Sequence, residues 1–317
     1  MIRVVGANPA MDRISTWPPL RLGAVNRAAQ VSVVPGGKGF NVARAALRLG
    51  ASAAAYGFLG GDVGESLRGF IAADGVEDRH TTIAAGTRVC FVVVEPDAER
   101  TTVLNEPGPP VTEAEIARFL DDICSDTTAD DLLVISGSLP DSVPANVVAE
   151  ILEIGHAVGA RTVVDIHSEA LRVAFASRPW MLKCNRRELL ELLGAPDPDA
   201  PVGTVQLGAE MQRIREHGIE IVVVTMGAEG ALLADEAGVV RAIAPRITEV
   251  NPTGSGDLFL GGLAVGIKEG SAPREAIALG VACGTAGATH LPPELPPDFE
   301  LEAWRSRVRV ETVIEDR

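Results

Sequence analysis

The segment Asn251-Pro252-Thr253-Gly254-Ser255-Gly256-Asp257 puts a carboxylate directly behind two glycines and ahead of the apolar run Leu258-Phe259-Leu260-Gly261-Gly262. Glycines let a turn aim several backbone N–H groups one way, and the following helix adds the positive end of its dipole. A nest of this kind suits a phosphate whose negative charge grows during transfer. Asp257, in the first helical turn, could accept the proton of a hydroxyl attacking phosphorus. It could also simply cap its helix.

A second bare turn, Pro35-Gly36-Gly37-Lys38-Gly39-Phe40-Asn41, has more glycine than a strand-to-helix turn requires. Its backbone is open to a polar ligand, with Lys38 and Asn41 supplying donors and charge. The spacing fits neither a Walker A loop nor a GxGxxG dinucleotide fingerprint. Asn8-Pro9-Ala10-Met11-Asp12 follows the first apolar strand, so Asp12 either grips sugar hydroxyls at the ligand crevice or is an ordinary turn residue. In Lys183-Cys184-Asn185-Arg186-Arg187-Glu188, Asn185 and Glu188 have the spacing of a capping box. Thr225-Met226-Gly227-Ala228-Glu229-Gly230 reads as a strand–turn–strand whose glycines could serve a hairpin alone.

The elements that must position these residues follow an α/β rhythm. Near-continuous apolar strands are expected at Ile2–Val5, Leu132–Ile135, Thr162–Ile166 and Ile221–Thr225, as for strands buried on both faces. Helical patterns lie between them at Asn41–Leu49, Glu113–Ile123, Ala145–Val158 and Val205–Glu216. Strands at Ala231–Leu233 and Val239–Ile243 precede two adjacent helices, Gly254–Lys268 and Pro273–Thr289. The second carries Gly280, Ala282, Gly284, Ala286 and Gly287, for close approach either to a neighbouring helix or to a ligand. Ser15–Val34 and Thr87–Leu104 break the rhythm as a small second β layer, an active-site flap or an edge hairpin. Pro292–Pro297 is a stiff connector before a last short helix.

Acidic residues outnumber basic ones 43 to 28, a net charge of −15, which disfavours nucleic acid and anionic membranes as partners. An anionic substrate would need cations gathered locally. The four cysteines are scattered without a CxxC pair, so neither a disulfide framework nor a zinc site is signalled. No signal peptide or long apolar run appears, and the expectation is a cytoplasmic protein.

Taken in order along the chain, these segments resemble the ribokinase-like (PfkB) carbohydrate kinase family. The likeness is strongest to its hexose-phosphate branch, the 1-phosphofructokinases and tagatose-6-phosphate kinases. Asn8–Asp12, Val25-Asn26-Arg27, Thr87-Arg88, Asn105–Pro109, Ile135–Pro140 and Pro179–Leu189 carry that likeness. The resemblance implies a three-layer α/β/α fold with a mostly parallel central sheet. It implies one kinase domain over 1–317, with segments about 11–35 and 86–105 forming a small β-sheet lid that could also make a homodimer.

For the site, the resemblance implies that Asp257 is the catalytic base and that Gly254, Ser255 and Gly256 form the anion hole. Asp12, Gly36, Gly37, Asn41 and Ser138 would hold the sugar, and Arg27, Lys38 and Arg88 its phosphate. Lys183, Asn185, Glu188, Thr225, Gly227, Gly230 and Asn251 would meet ATP, with Asn185 and Glu188 holding Mg²⁺ through water. The implied reaction is in-line phosphoryl transfer from ATP to a ketohexose phosphate, fructose 1-phosphate or tagatose 6-phosphate, giving the bisphosphate. Fructose 6-phosphate, a free sugar or nucleoside, or a catalytically weak metabolite sensor are the alternatives. The sequence departs from the family pattern at Cys184 (commonly Pro), Thr225 (Ser), Leu258 (Ser or Thr) and His167 (Ser).

Overall fold

The computed structural model describes residues 1–98 and 100–315. In the first strand, Ile2–Val5, Ile2 and Val4 enter one buried cluster and Val5 the other. Leu132–Ser136 and Ile221–Thr225 divide their side chains the same way. Strands apolar on both sides must be covered on both sides, which is why their sequences read as unbroken apolar runs. The result is an α/β/α sandwich.

The central sheet has ten strands, in the spatial order Glu77–Asp78, Ala53–Tyr56, Ile2–Val5, Leu132–Ser136, Arg161–Asp165, Met181–Asn185, Ile221–Thr225, Ala231–Asp235, Gly238–Ile243 and Arg309–Glu315. The strands from Glu77–Asp78 to Ile221–Thr225 run parallel, and the rest are antiparallel. Helices Glu113–Asp126, Val147–Val158, Ser168–Ala176 and Thr204–Arg215 cover one face. Helices Lys38–Arg48, Gly61–Asp74, Ser255–Lys268 and Pro273–Gly287 cover the other. Among the described residues no helix is long and apolar enough to cross a membrane.

A second sheet of four strands, ordered Gln30–Gly36, Ala10–Thr16, Arg88–Glu95 and Arg100–Asn105, stands beside the first. Its middle pair is parallel, with Asp12 opposite Cys90. Ile14, Cys90 and Val92 are buried, while Val31, Val33, Phe91, Val103 and Leu104 are exposed.

Several elements differ from the sequence expectation, among them the central strands Ala53–Tyr56 and Met181–Asn185, two helices and an edge strand. Gly61–Asp74 is helical although it buries only Gly64, Leu67 and Ile71, a stripe too thin to stand out. Ser168–Ala176 forms a further helix. Arg309–Glu315 follows the short helix Leu301–Arg305 and pairs with Gly238–Ile243 as an edge strand. Its charged, mostly exposed residues hide any apolar alternation.

The small residues of Pro273–Gly287 serve packing first. A Cβ added at Gly262 would sit 2.7 Å from Cys283 Sγ, and one at Gly284 2.9 Å from Ser255 O. The two helices therefore touch almost backbone to backbone, fixing where Ser255–Lys268 begins. A second close contact fixes the other glycine turn: a Cβ at Gly39 would lie 2.7 Å from Gly6 Cα. Gly39→Ala should therefore cost about 1–3 kcal/mol of stability, the usual penalty of overpacking. Urea unfolding measures it, and an unchanged midpoint would mean that the strand end yields freely.

Candidate active site

The site residues gather where the parallel strands end, the crevice such sheets leave for ligands. Ile2–Val5 leads into Asn8 and Asp12, Leu132–Ser136 into Ser138, Arg161–Asp165 into His167, and Ile221–Thr225 into Gly227 and Gly230. Two cavities occupy this end of the molecule. They meet at the Gly254–Asp257 turn.

The first cavity, about 320 Å³, is the more polar of the two and lies under the second sheet. Its walls include Asp12, Gly37, Lys38, Asn41, Arg88, Ser138, Gly254 and Asp257. The helix Lys38–Arg48 starts three residues before the expected Asn41, so Lys38 and Asn41 both lie in its first turn. Gly37, at φ 98°, holds the left-handed turn that aims this helix at the cavity. Gly36 lies behind the wall, and any Cβ there would collide with the Asp12 carboxyl. Ser138 accepts a hydrogen bond from Asn8 Nδ2 at 3.1 Å. The Arg88 guanidinium donates to the carbonyls of Asn8 (2.9 Å) and Glu106 (3.2 Å), and its buried Nε has no partner. Arg27 is exposed on the loop between two strands of the second sheet, outside this cavity.

The second cavity, about 440 Å³, is the more apolar and lies beyond the same turn. Thr225, Gly227 and Gly230 line one side, Ser255 and Gly256 the floor, and Phe259, Val281 and Gly284 the back. Gly284 and Thr285 thus touch this space as well as the neighbouring helix. The remaining wall, Ala244–Ile247 and Glu249, is irregular backbone that no sequence motif announced.

The turn itself is narrower than a full nest. Gly254 is left-handed at φ 80° and starts the helix Ser255–Lys268. The amides of Ser255 and Asp257 donate to Pro252 O (3.2 Å) and Gly254 O (2.9 Å). Among the described residues the N–H groups of Gly254 and Gly256 meet no acceptor. Two free donors remain for an anion. Asn251, buried below, accepts from the Thr253 amide at 3.2 Å.

Asp257 does not cap the helix. Its side chain is buried and its Oδ2 accepts from Asn41 Nδ2 at 2.8 Å. Burial raises its pKa to about 6, against the pull of Lys38, Asn41 and Lys183. Burial likewise raises Asp12 to about 6, against Arg88. Leu258, next along the helix, turns away from the cavities and packs with Ala45, Leu279, Cys283 and Leu295. The polar group expected after Asp257 is replaced by core.

Beneath the turn lies a residue that sequence reasoning missed. Asp165 is buried at 1 % exposure and accepts from Lys183 Nζ at 2.7 Å, with Lys38 Nζ 4.0 Å away. Lys183 Nζ also approaches Gly256, where an added Cβ would be 3.4 Å off. Asp165 thus collects two ammonium groups from different elements next to Asp257. A pair so far apart in sequence leaves no local signal.

Asn185 and Glu188 form the capping box of the helix Arg186–Leu192, outside both cavities. Asn185 Oδ1 accepts from the Glu188 amide at 2.9 Å, and Glu188 Oε2 from the Asn185 amide at 2.8 Å. Among the described residues Glu188 Oε1 takes no hydrogen bond, and the Glu188 charge still reaches Lys38. One free carboxylate oxygen beside water fits a hydrated Mg²⁺, which keeps most of its own waters. Among the described residues no group of three or more His, Cys, Asp or Glu could hold a metal directly.

The model of the pfkB family carbohydrate kinases matches residues 2–292. The 1-phosphofructokinase of Bacillus subtilis (strain 168) is 32% identical over 292 residues, covering 91% of this chain and 92% of that protein. The 1-phosphofructokinase of Haemophilus influenzae is 30% identical over 276 residues, 87% of each. Among solved structures, phosphofructokinase-2 from Escherichia coli in complex with fructose-6-phosphate superposes with a TM-score of 0.84 at 27% identity, over 90% of this chain and 93% of that one.

A carboxyl whose folded pKa is raised holds its proton longer than the unfolded chain does. Stability therefore falls as pH climbs through the interval from 3.8 to about 6. Two units correspond to about 3 kcal/mol at neutral pH. Asp257→Asn, which keeps the Asn41 contact, should thus unfold about 1–3 kcal/mol harder in urea at pH 7.5, the gain vanishing near pH 4. A variant less stable than the native chain at pH 7.5 would contradict this account of the buried charge.

Proposed function

The chain belongs to the pfkB family of carbohydrate kinases, and we propose that it phosphorylates a ketohexose phosphate, fructose 1-phosphate or tagatose 6-phosphate, with ATP. The observation that carries this reading is the shared turn. A cavity lined by charged side chains and a more apolar one meet at two amides that are unpaired among the described residues, with one buried carboxylate beside them. The names of the two bacterial relatives support the acceptor.

In this reading the adenine end of ATP lies between Gly227, Gly230 and Phe259, and its terminal phosphate reaches the Gly254 and Gly256 amides. Each such donor contributes on the order of 3 kcal/mol to an oxyanion-type transition state. Lys183, steadied by Asp165, counters charge from below the turn. Mg²⁺ bound with ATP would neutralise phosphate oxygens, with Asn185 and Glu188 touching its waters. The sugar stands over Gly37, its hydroxyls held by Asp12, Asn41 and Ser138. Its own phosphate faces Arg88 and Lys38, the cations an acidic protein must gather locally. Asp257 takes the proton of the attacking hydroxyl, its raised pKa bringing it closer to the working range of a general base.

The whole chain then acts as one kinase domain, with the second sheet as a lid over the acceptor that excludes water from the transferring phosphoryl group. The exposed apolar face of that sheet supports pairing of two chains through their lids. Arg27, outside the cavity in a single chain, is the one expected phosphate contact that needs such a rearrangement.

Asp257→Asn should lower kcat by about two to four decades while leaving both KM values within a few fold. A variant retaining most of its turnover removes Asp257 from the base role. The native log kcat/KM should rise with pH and level off above about 6, the Asp257 value. Arg88→Ala should raise KM for the phosphosugar by about ten- to a hundredfold and leave KM for ATP unchanged. A coupled assay over fructose 1-phosphate, tagatose 6-phosphate, fructose 6-phosphate, ribose and adenosine tests the acceptor. Turnover of only ribose or adenosine would overturn the reading.

A further inference from the structure

The first cavity does not end at Asp257 and Lys38. Below the Gly37 turn its lining continues through Val4, Gly6, Phe40, Ala55 and Tyr56 to His80. This floor is almost wholly apolar. His80 is the residue there whose ring can offer a lone pair.

The His80 ring is held from several sides. Its side chain is only 2 % exposed. One face stacks on Phe40, the ring centroids 5.0 Å apart and the planes 21° from parallel. At its Cδ2 edge the backbone of Gly57 passes so closely that an added Cβ would be 3.1 Å away. Nδ1 lies 2.8 Å from Asp78 Oδ1, which also accepts the His80 backbone N–H at 3.0 Å. Asp78 is in turn bound by Arg68, whose other nitrogen reaches His80 O at 3.1 Å and Thr82 Oγ1 at 3.0 Å.

This arrangement fixes the tautomer. Burial pushes the Asp78 carboxyl up, but the hydrogen bonds of His80 and Arg68 outweigh it and hold the group well below the ordinary carboxylate range. Asp78 is therefore an acceptor, and Nδ1 must carry the proton it receives. Burial depresses the imidazole pKa despite Asp78, so the ring is neutral at physiological pH. Nε2 is left as a bare acceptor. Among the described residues the ring's hydrogen bond runs through Nδ1 alone. An acceptor without a partner in the wall of a ligand cavity is satisfied when the ligand or its water arrives.

We propose that His80 is a specificity-determining residue of the acceptor site, its Nε2 accepting a hydrogen bond from a sugar hydroxyl, directly or through one water trapped beneath the sugar. The proposal rests on the kinase reading given above and adds to it an acceptor atom in the wall of the sugar's cavity. Asp78 is the positioning residue, acting through the imidazole, and Arg68 holds Asp78. Neither touches the sugar.

The test compares His80→Phe, which keeps a ring on Phe40 but has no acceptor, with His80→Gln, whose Oε1 can stand close to where Nε2 was. Both are assayed with whichever sugar of the panel the native chain phosphorylates best, and thermal unfolding is followed beside the kinetics. The expected result for His80→Phe is a KM for the sugar raised about three- to tenfold, with KM for ATP unchanged. His80→Gln should recover most of the sugar KM. A sugar KM unaffected in His80→Phe, or equally raised in both variants, overturns the proposal and leaves His80 a packing residue. Neither result touches the kinase reading, which falls instead if the native chain transfers phosphate to none of the ketohexose phosphates. If it transfers to no acceptor at all, both fall.

Discussion

A carboxylate at the start of an apolar helix, 5 % exposed, is the constraint that the rest of this structure accommodates. Left alone it would take up a proton or turn outward. Asn41 gives it one hydrogen bond, and Lys38 and Lys183 supply nearby positive charge from two other elements. The lysines in turn are drawn in by Asp165 on a third. Moving any one of these elements would leave a buried charge uncompensated, so the packing around them is tight. Gly284 against Ser255 and Gly39 against Gly6 are two contacts at which only hydrogen fits.

The same constraint explains the division of labour between the cavities. Charge is concentrated in the first cavity, where Asp12, Lys38, Arg88 and Asp257 all line the wall. The second cavity is built largely from glycine and apolar residues, with Arg246 and Glu249 on its irregular wall. A protein of net charge −15 can attract an anion only where a few cations are held against the general field. Here two of them are fixed by the fold itself, Arg88 by the carbonyls of Asn8 and Glu106 and Lys38 by Asp165.

What the sequence made legible was whatever is local. Continuous apolar strands, both glycine turns and the Asn185–Glu188 capping spacing each announce themselves within a few residues, and all appear where expected. Asp165 and His80 did not, because their importance comes from partners or neighbours on other elements. The Ala244–Glu249 wall is irregular chain, with no period to read. Gly61–Asp74 was hidden by its own glycines, and Arg309–Glu315 by the charges that suit an edge strand. Arg27 was the reverse case. The resemblance implied that it joins Arg88 on a phosphate, yet the loop that carries it lies outside the cavity.

The partition between the two cavities is one turn of main chain, with Gly254 and Gly256 at its thinnest points. Gly254 closes one chamber and Gly256 the other, with a single serine separating them. Such thinness means that the pair of chambers can be spanned by one continuous molecule. On the proposed reading, a compound tethering a nucleoside to a phosphorylated ketose by a short polyphosphate bridge would pass both glycines and engage each chamber at once.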